Sequence, residues 1–124
     1  MSRGWAWACV VLTIALTVVG QFLIKWQVLK AGPMPADTGG RLEFLLRLLM
    51  NPWVLSALAA AFLASISWMV AMTRLPLSEA YPLTALTFVC VVFGGAWLFL
   101  EPVSPMRVLG VALIVAGLVV GSRA

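Results

Sequence analysis

Four apolar runs, each about twenty residues long, constrain this chain more than any other feature of its sequence. They cover approximately residues 5–25, 52–73, 80–100 and 105–120. A helix needs about 20 mostly apolar residues to cross the hydrocarbon core of a bilayer, so each run is long enough for one crossing. Little sequence remains for a separate soluble domain. We therefore expect residues 1–124 to form a single all-α membrane domain with four transmembrane helices.

The composition points to the same class of protein. Hydrophobic residues make up 64% of the chain and charged residues 10%, against about 45–50% and 25% in soluble domains. The net charge is +4, but the basic residues mostly flank the apolar runs, where they would bind lipid headgroups and not nucleic acid. The basic residues divide almost evenly between the two sides of the membrane, so their distribution does not predict the orientation of the chain across it.

The sequence offers no residues for a metal, a cofactor or covalent catalysis. It contains no histidine, and its two cysteines, Cys9 and Cys90, both lie inside apolar runs. Zinc and iron sites need clusters of such ligands, and enzyme sites need an activated nucleophile or an acid–base pair. We therefore expect a protein that is not an enzyme and has no metal or other cofactor.

The connection between the first two runs predicts a fifth helix. A Gly/Pro-rich loop at residues 31–40 is followed by residues 41–50, in which charges at positions 41, 43 and 47 leave a broad apolar face. This pattern is typical of a short amphipathic helix lying in the membrane interface. The alternative is a longer second span. Asn51-Pro52 argues against that, because asparagine caps a helix and proline suits its first turn.

Acids and prolines bracket the third run. Glu79-Ala80-Tyr81-Pro82 precedes it, and Glu101-Pro102 follows it. A carboxylate at Glu79 would interact favourably with the positive end of the third helix, and Pro102 would help to end that helix. Ser104-Pro105 would cap and start the fourth helix. A structural role alone explains both acids, and a functional role stays open beside it.

A polar stripe, composed of Thr13, Thr17, Gln21 and Lys25, follows one face of the first helix at intervals of four residues. An unpaired amide facing lipid is costly, so we expect the stripe to face another helix or a polar cavity. There the ammonium of Lys25 would suit a phosphate or carboxylate. Alternatively, the Lys25 side chain extends its ammonium to the lipid headgroups and binds no substrate.

Two glycines of the fourth run, Gly110 and Gly117, lie one heptad apart. Small residues let membrane helices approach closely, so these glycines favour a dimer interface. Glycine is also common in membrane helices generally, which leaves a purely structural explanation open.

Several motifs together resemble a known superfamily. They are Gly20-Gln21 with Lys25, Glu79-Ala80-Tyr81-Pro82, and Glu101-Pro102-Val103-Ser104-Pro105 with Leu109-Gly110. The chain resembles the drug/metabolite transporters. More narrowly, it looks like the small subunits of the aminoarabinose-phosphoundecaprenol flippase, which are relatives of the small multidrug-resistance proteins.

The resemblance implies four helices that act as a homodimer or heterodimer in the bacterial inner membrane. It implies movement of a polyprenyl-phosphate-linked sugar to the outer leaflet, in a pathway that decorates lipid A and confers polymyxin resistance. It places Gln21, Lys25, Tyr81 and Pro82 at the substrate-site motif positions, and Glu101 in the loop motif. Multidrug-resistance relatives carry a membrane glutamate two turns before the first-helix lysine, where this sequence has Thr17.

These features lead to one hypothesis and two alternatives. A groove lined by the stripe and Tyr81 would bind the sugar, while Lys25, with Arg74 or Lys30, would hold the phosphate. Glu79 would pair with a cation or contact a positively charged amino-sugar. The first alternative is a proton-coupled exporter of cationic compounds, which Thr17 disfavours because threonine does not titrate. The second is a partner subunit that does not itself transport.

Overall fold

The computed structural model describes residues 3–123, and every regular element within that range is helical. The elements are α1 (Arg3–Ala31), α2 (Thr38–Met50), α3 (Pro52–Met72), α4 (Leu77–Ala80), a 3₁₀ turn (Tyr81–Ala85), α5 (Leu86–Leu98) and α6 (Pro105–Ser122). α4, the 3₁₀ turn and α5 together form one continuous span. The predicted all-α fold, with four spans and a shorter helix between the first two, is confirmed.

Four helical segments are long and apolar enough to cross a membrane: Gly4–Ala31, Pro52–Met72, Leu77–Leu98 and Pro105–Ser122. The chain is thus a multi-pass membrane protein. α1 has 29 residues, a length of about 43 Å, so it exceeds the roughly 30 Å hydrocarbon core. It continues past the expected end near Lys25. The length of the apolar run indicates only the part of the helix that lies inside the membrane, and the lysine, glutamine and leucine residues that follow also favour helix.

α1 and α3 pack against each other in antiparallel fashion and form the main interface. The face of α3 toward α1 is built from small residues, since Ala57, Ala64 and Ala71 are all buried. Gly20 of α1 lies so close to α3 that a Cβ there would be 3.3 Å from the carbonyl oxygen of Ala57. Small side chains permit this approach, and close packing stabilises helix pairs in lipid.

The last two spans pack less extensively. α5 meets α1 at Gly94, where an added Cβ would be 2.2 Å from Cζ of Phe22. Of the residues described in α6, only Val111 is buried. A Cβ added at Gly110 or Gly117 would meet no atom within 4 Å. α6 therefore leaves most of its surface open.

Polar caps set the helix starts. Asp37 accepts a hydrogen bond from the Gly40 N–H at 2.8 Å, so α2 begins at Thr38, three residues before the expected start. Asn51 Oδ1 accepts from the Trp53 N–H at 2.8 Å and starts α3. Ser104 Oγ accepts from the Arg107 N–H at 3.2 Å and starts α6. Each cap satisfies a backbone donor that lacks a partner inside its own helix.

The third span is irregular at both ends. Pro82 cannot donate to the carbonyl one turn earlier, and the chain there forms the 3₁₀ turn instead of continuing α4. At the other end Leu100 adopts a left-handed conformation, with φ of +55°. This conformation turns the chain so that the Glu101 N–H reaches the carbonyl of Gly95 at 3.4 Å.

Candidate functional site

An open groove of about 590 Å³ runs between α1 and α3 and reaches the 3₁₀ turn. We call it the polar groove. Its volume lies within the range of about 300–1,000 Å³ that is usual for small-molecule sites. Its polar lining side chains are Thr13, Thr17, Gln21, Ser65, Tyr81 and Thr84. α1 supplies the first three because residues four apart lie on one helical face.

The four threonine and serine hydroxyl groups of the groove have already donated their protons. Thr13 Oγ1 donates to the carbonyl of Cys9 at 2.8 Å and also lies 3.3 Å from that of Ala64. Thr17 Oγ1 donates to the carbonyl of Thr13 at 2.7 Å.

The other two hydroxyls follow the same pattern. Ser65 Oγ donates to Ala61 at 3.1 Å, and Thr84 Oγ1 donates to Tyr81 at 2.6 Å. A hydroxyl has one proton and two lone pairs, so these oxygens present acceptors to a ligand. The wall of the groove is therefore rich in hydrogen-bond acceptors.

Gln21 and an aromatic pair complete the lining. Gln21 is exposed to the groove, and its amide offers both a donor and an acceptor. The rings of Trp68 and Tyr81 meet edge to face with centroids 6.1 Å apart. Both aromatic residues line the groove, and Tyr81 is 62% exposed. Aromatic faces of this kind offer contact to the apolar C–H surface of a ligand.

The cations predicted for the site lie outside the lining. Lys25 is exposed one turn beyond Gln21, toward the C-terminal end of α1. Arg74 is exposed just after α3, which ends near the start of α1, where Ala6 packs with Ala71. Lys25 and Arg74 therefore lie at opposite ends of the α1–α3 pair. Lys30 lies at the same end as Lys25, five residues further along α1.

The two bracketing acids occupy separate places. Glu79 lines another cavity, of about 520 Å³, together with Trp7, Pro82 and Leu118. Glu101 is exposed, and its carboxylate lies over Gly95, where an added Cβ would be 2.5 Å from Oε1. Pro102 follows in the loop before α6, and it is also exposed.

Sequence reasoning missed three polar or aromatic residues of the groove. Ser65 and Trp68 come from α3, and Thr84 comes from the 3₁₀ turn. Ser65 and Trp68 lie three apart on α3, a helical spacing that would have placed them on one face. Nothing in the sequence pairs that face with the polar stripe. As for metals, the described residues contain no group of three or more His, Cys, Asp or Glu side chains that would hold an ion.

Curated proteins of similar sequence were found across several bacteria. A protein of Pseudomonas savastanoi pv. phaseolicola is 32% identical over 113 residues, which cover 90% of this chain and 91% of the relative. A protein of Escherichia coli O157:H7 (strain EC4115 / EHEC) is 33% identical over 114 residues, covering 92% and 94%. Both carry the name "Probable 4-amino-4-deoxy-L-arabinose-phosphoundecaprenol flippase subunit ArnE".

A third relative carries the name "Probable 4-amino-4-deoxy-L-arabinose-phosphoundecaprenol flippase subunit ArnF". It comes from Sodalis glossinidius (strain morsitans) and is 34% identical over 127 residues, covering 95% of this chain and 88% of the relative. No protein-family model matches the chain, and no solved structure matches it.

Proposed function

Since this chain belongs to the family of aminoarabinose-phosphoundecaprenol flippase subunits, we propose that it moves a polyprenyl-phosphate-linked amino-sugar across the bacterial inner membrane. It would do so as one subunit of a homodimer or heterodimer. The polar groove would hold the sugar during the crossing.

The acceptor-rich wall of the groove carries this proposal. A sugar presents hydroxyl and amine donors, and an amino-sugar presents an ammonium as well. Four hydroxyl groups of the groove donate hydrogen bonds to backbone carbonyls, so their oxygens can accept hydrogen bonds from the sugar. They belong to Thr13, Thr17, Ser65 and Thr84. A phosphate, which only accepts, would find few partners among them. The chemistry of this wall suits a sugar better than a phosphate.

The groove would reduce the barrier to crossing. Moving a hydroxyl from water into hydrocarbon without a partner costs roughly 4–8 kcal/mol, so a bare sugar crosses a bilayer very slowly. Hydrogen bonds to the groove would replace part of the lost hydration. The polyprenyl tail would stay in the lipid beside the groove, because it is already in an apolar medium there.

The phosphate would stay near the membrane surface at the Lys25 end. Lys25 is exposed on the helix that carries Gln21, and Lys30 lies further along that helix. Arg74 would meet the phosphate only after the lipid had reached the other end of the groove. Glu79 lines a cavity near that end and would contact the ammonium of the amino-sugar there.

A proton-coupled exporter of cationic compounds fits the groove less well. Such a site needs a titratable acid where the cation binds. The residues that line the polar groove include no aspartate or glutamate. Thr17 lies at the place that a membrane glutamate occupies in multidrug-resistance relatives.

A second subunit would pack on α6. This helix leaves Gly110 and Gly117 open, with room for close approach by another helix. The relatives include both ArnE and ArnF subunits, so either a second copy of this chain or a related chain is a possible partner. A role as a stabilising partner without transport of its own is compatible with the same surface.

Native mass spectrometry in mild detergent would test the sugar site. The ligands would be 4-amino-4-deoxy-L-arabinose-phosphoundecaprenol, undecaprenyl phosphate and a lipophilic aromatic cation. We expect the sugar-bearing lipid to bind more tightly than the sugarless one. Thr17→Val should reduce that preference about five- to tenfold, the value of one hydrogen bond.

Thr87→Val is the matched control, because Thr87 lies on α5 and does not line the groove. Equal binding of both lipids to the unaltered protein would contradict a sugar site. Binding of the aromatic cation alone would support the exporter instead.

A further inference from the structure

A second cavity, of about 260 Å³, lies where the end of α1 meets α2 and the turn into α3. We call it the interfacial cavity. Its polar lining residues are Gln27, Lys30, Arg47 and Asn51, and Phe44 and Leu48 form an apolar wall. It shares no lining residue with the polar groove.

Gln27 in this cavity has a buried donor without a partner. The side chain is 5% exposed, and its Nε2 makes no hydrogen bond in the described structure. The α3 cap explains why. Asn51 Oδ1 accepts from the Trp53 N–H, so Asn51 must present Nδ2 to Gln27. That Nδ2 donates to Gln27 Oε1 at 3.0 Å, which leaves the Gln27 amide group without an acceptor.

A buried donor without an acceptor is unfavourable, and native structures seldom retain one. An acceptor supplied by a ligand would satisfy it. Rotating the Gln27 amide by 180° would not remove the unpaired donor, because Oε1 must stay in place to accept the hydrogen bond from Asn51. The cap of α3 thus fixes the Gln27 amide nitrogen as a donor that still needs an acceptor.

The charges that line the cavity are both positive. Lys30 lies with Nζ 4.4 Å from the ring centroid of Trp26, and Arg47 pairs with Glu43 on the same helix. The Arg47 and Glu43 side chains are 78% and 63% exposed, so water screens this pair and it holds the arginine only weakly. No carboxylate lines the cavity. An anion would therefore meet two available cations.

The side chains around the cavity are those expected at the depth of lipid headgroups. Trp26 and Trp53 pack edge to face beside it, with centroids 5.3 Å apart, and tryptophan is enriched at the membrane surface. α2 exposes Leu42, Leu45 and Leu49 along one face, as an interfacial helix does. The phosphates of lipids occupy this level.

We propose that the interfacial cavity binds the phosphate group of a membrane lipid. Arg47 would form a paired hydrogen bond with the phosphate, Lys30 would add a point charge, and the Gln27 amide would donate to a third oxygen. The acyl or prenyl chain would lie against Phe44 and Leu48. The lipid would be either a resident glycerophospholipid or a polyprenyl phosphate, since both present this group. The site does not depend on the proposed transport.

Binding of single lipids to the full-length protein in dodecyl maltoside, measured by native mass spectrometry, would test the proposal. The probes are phosphatidylglycerol, undecaprenyl phosphate and diacylglycerol, the last of which lacks phosphate. We expect at least one phosphate lipid to bind and diacylglycerol not to. Arg47→Gln should weaken that binding about ten- to a hundredfold, as expected for a lost charge-assisted hydrogen bond.

Arg41→Gln is the matched control. It removes the same charge from the same exposed helix, but Arg41 bonds the carbonyl of Pro35 and does not line the cavity. Its effect should stay within about twofold, the range of a surface charge. Gln27→Glu keeps the acceptor for Asn51 and replaces the donor with an anion, so it should abolish phosphate binding in any protein that still folds.

The outcomes separate cleanly. Binding of phosphatidylglycerol alone would identify a resident phospholipid, and binding of undecaprenyl phosphate alone would identify the carrier lipid; either supports the site. Equal weakening by Arg47→Gln and Arg41→Gln would overturn it, as would equal binding of diacylglycerol. Because Thr17→Val affects only the preference for the sugar, failure of this site and failure of the groove would be distinguishable.

Discussion

Gly94→Ala tests how α1 and α5 pack. A methyl group at this position would lie 2.2 Å from Cζ of Phe22 and 2.8 Å from its Cε2. Carbon atoms pack at about 3.5–4.0 Å, so the ring or the helix must move by at least about 1.3 Å. Any movement of the Phe22 ring would also disturb its contact with Phe99, since the two ring centroids lie 6.1 Å apart.

The expected cost follows from two opposing terms. Overpacking of this kind destabilises by about 1–3 kcal/mol, while replacing glycine by alanine inside a helix stabilises by about 1 kcal/mol. Gly110→Ala, measured at a dilution at which the protein is monomeric, is the matched control, because no atom of the chain lies within 4 Å of its added Cβ. It should show only the stabilising term. The difference in unfolding free energy between the two variants is therefore the packing term, about 1–3 kcal/mol.

Equilibrium unfolding by dodecyl sulfate in mixed micelles, followed by tryptophan fluorescence, would measure this difference. A Phe22→Leu background should remove most of the cost of Gly94→Ala, because the clashing ring atoms are gone. Such a coupling between contacting residues is typically about 0.5–3 kcal/mol. Gly94→Ala that is as stable as Gly110→Ala would refute the packing of α5 described here.

Two further perturbations address the α3 cap and the open face of α6. Asn51→Ala removes the α3 cap and also leaves Gln27 Oε1 without its donor, so it should destabilise by about 2–4 kcal/mol. Ser104→Ala removes only a cap and should destabilise by about 1 kcal/mol in the same unfolding assay; equal effects would argue against the Gln27 contact. Gly117→Leu points into open space, so the single chain should be stabilised by about 1 kcal/mol through helix propensity, while any dimer formed through α6 should be weakened and dissociate at a higher protein concentration in light-scattering measurements. A dimer unaffected by Gly117→Leu would place the interface elsewhere.

Local chemistry made much of the fold predictable. The four apolar runs fixed the number of spans, and Asn51-Pro52 and Ser104-Pro105 start α3 and α6 as capping chemistry requires. The missed helix ends have equally local reasons. α1 continues to Ala31 through polar residues that favour helix, and Asp37 starts α2 earlier than the charge pattern indicated.

From the residues alone, the candidate site was predictable only where a single helix builds it, whereas Tyr81 of the 3₁₀ turn was assigned to the groove through the family resemblance. Thr13, Thr17 and Gln21 share one face of α1, and the structure places all three along the polar groove. Trp68 and Thr84 line the groove from other elements. The spacing of residues along one helix shows which of them share a face, but it does not show which other helix that face contacts. Gln27 was missed for a related reason. Its burial depends on the cap of α3, which is distant in sequence.

The most direct test of the account is a flipping assay in proteoliposomes. The sugar-bearing polyprenyl phosphate carries a primary amine, so a membrane-impermeant amine reagent labels only molecules in the outer leaflet. The protein would be reconstituted alone and together with an ArnF-type relative. In either preparation that is active, labelling should proceed beyond the outer-leaflet fraction to include the inner-leaflet lipid.

Thr17→Val should slow that second phase about five- to tenfold, whereas Thr87→Val should not. This result would support movement of the sugar through the polar groove. Labelling that stops at the outer-leaflet fraction in both preparations would contradict the proposed transport. A second phase that Thr17→Val leaves unchanged would contradict the groove as its path.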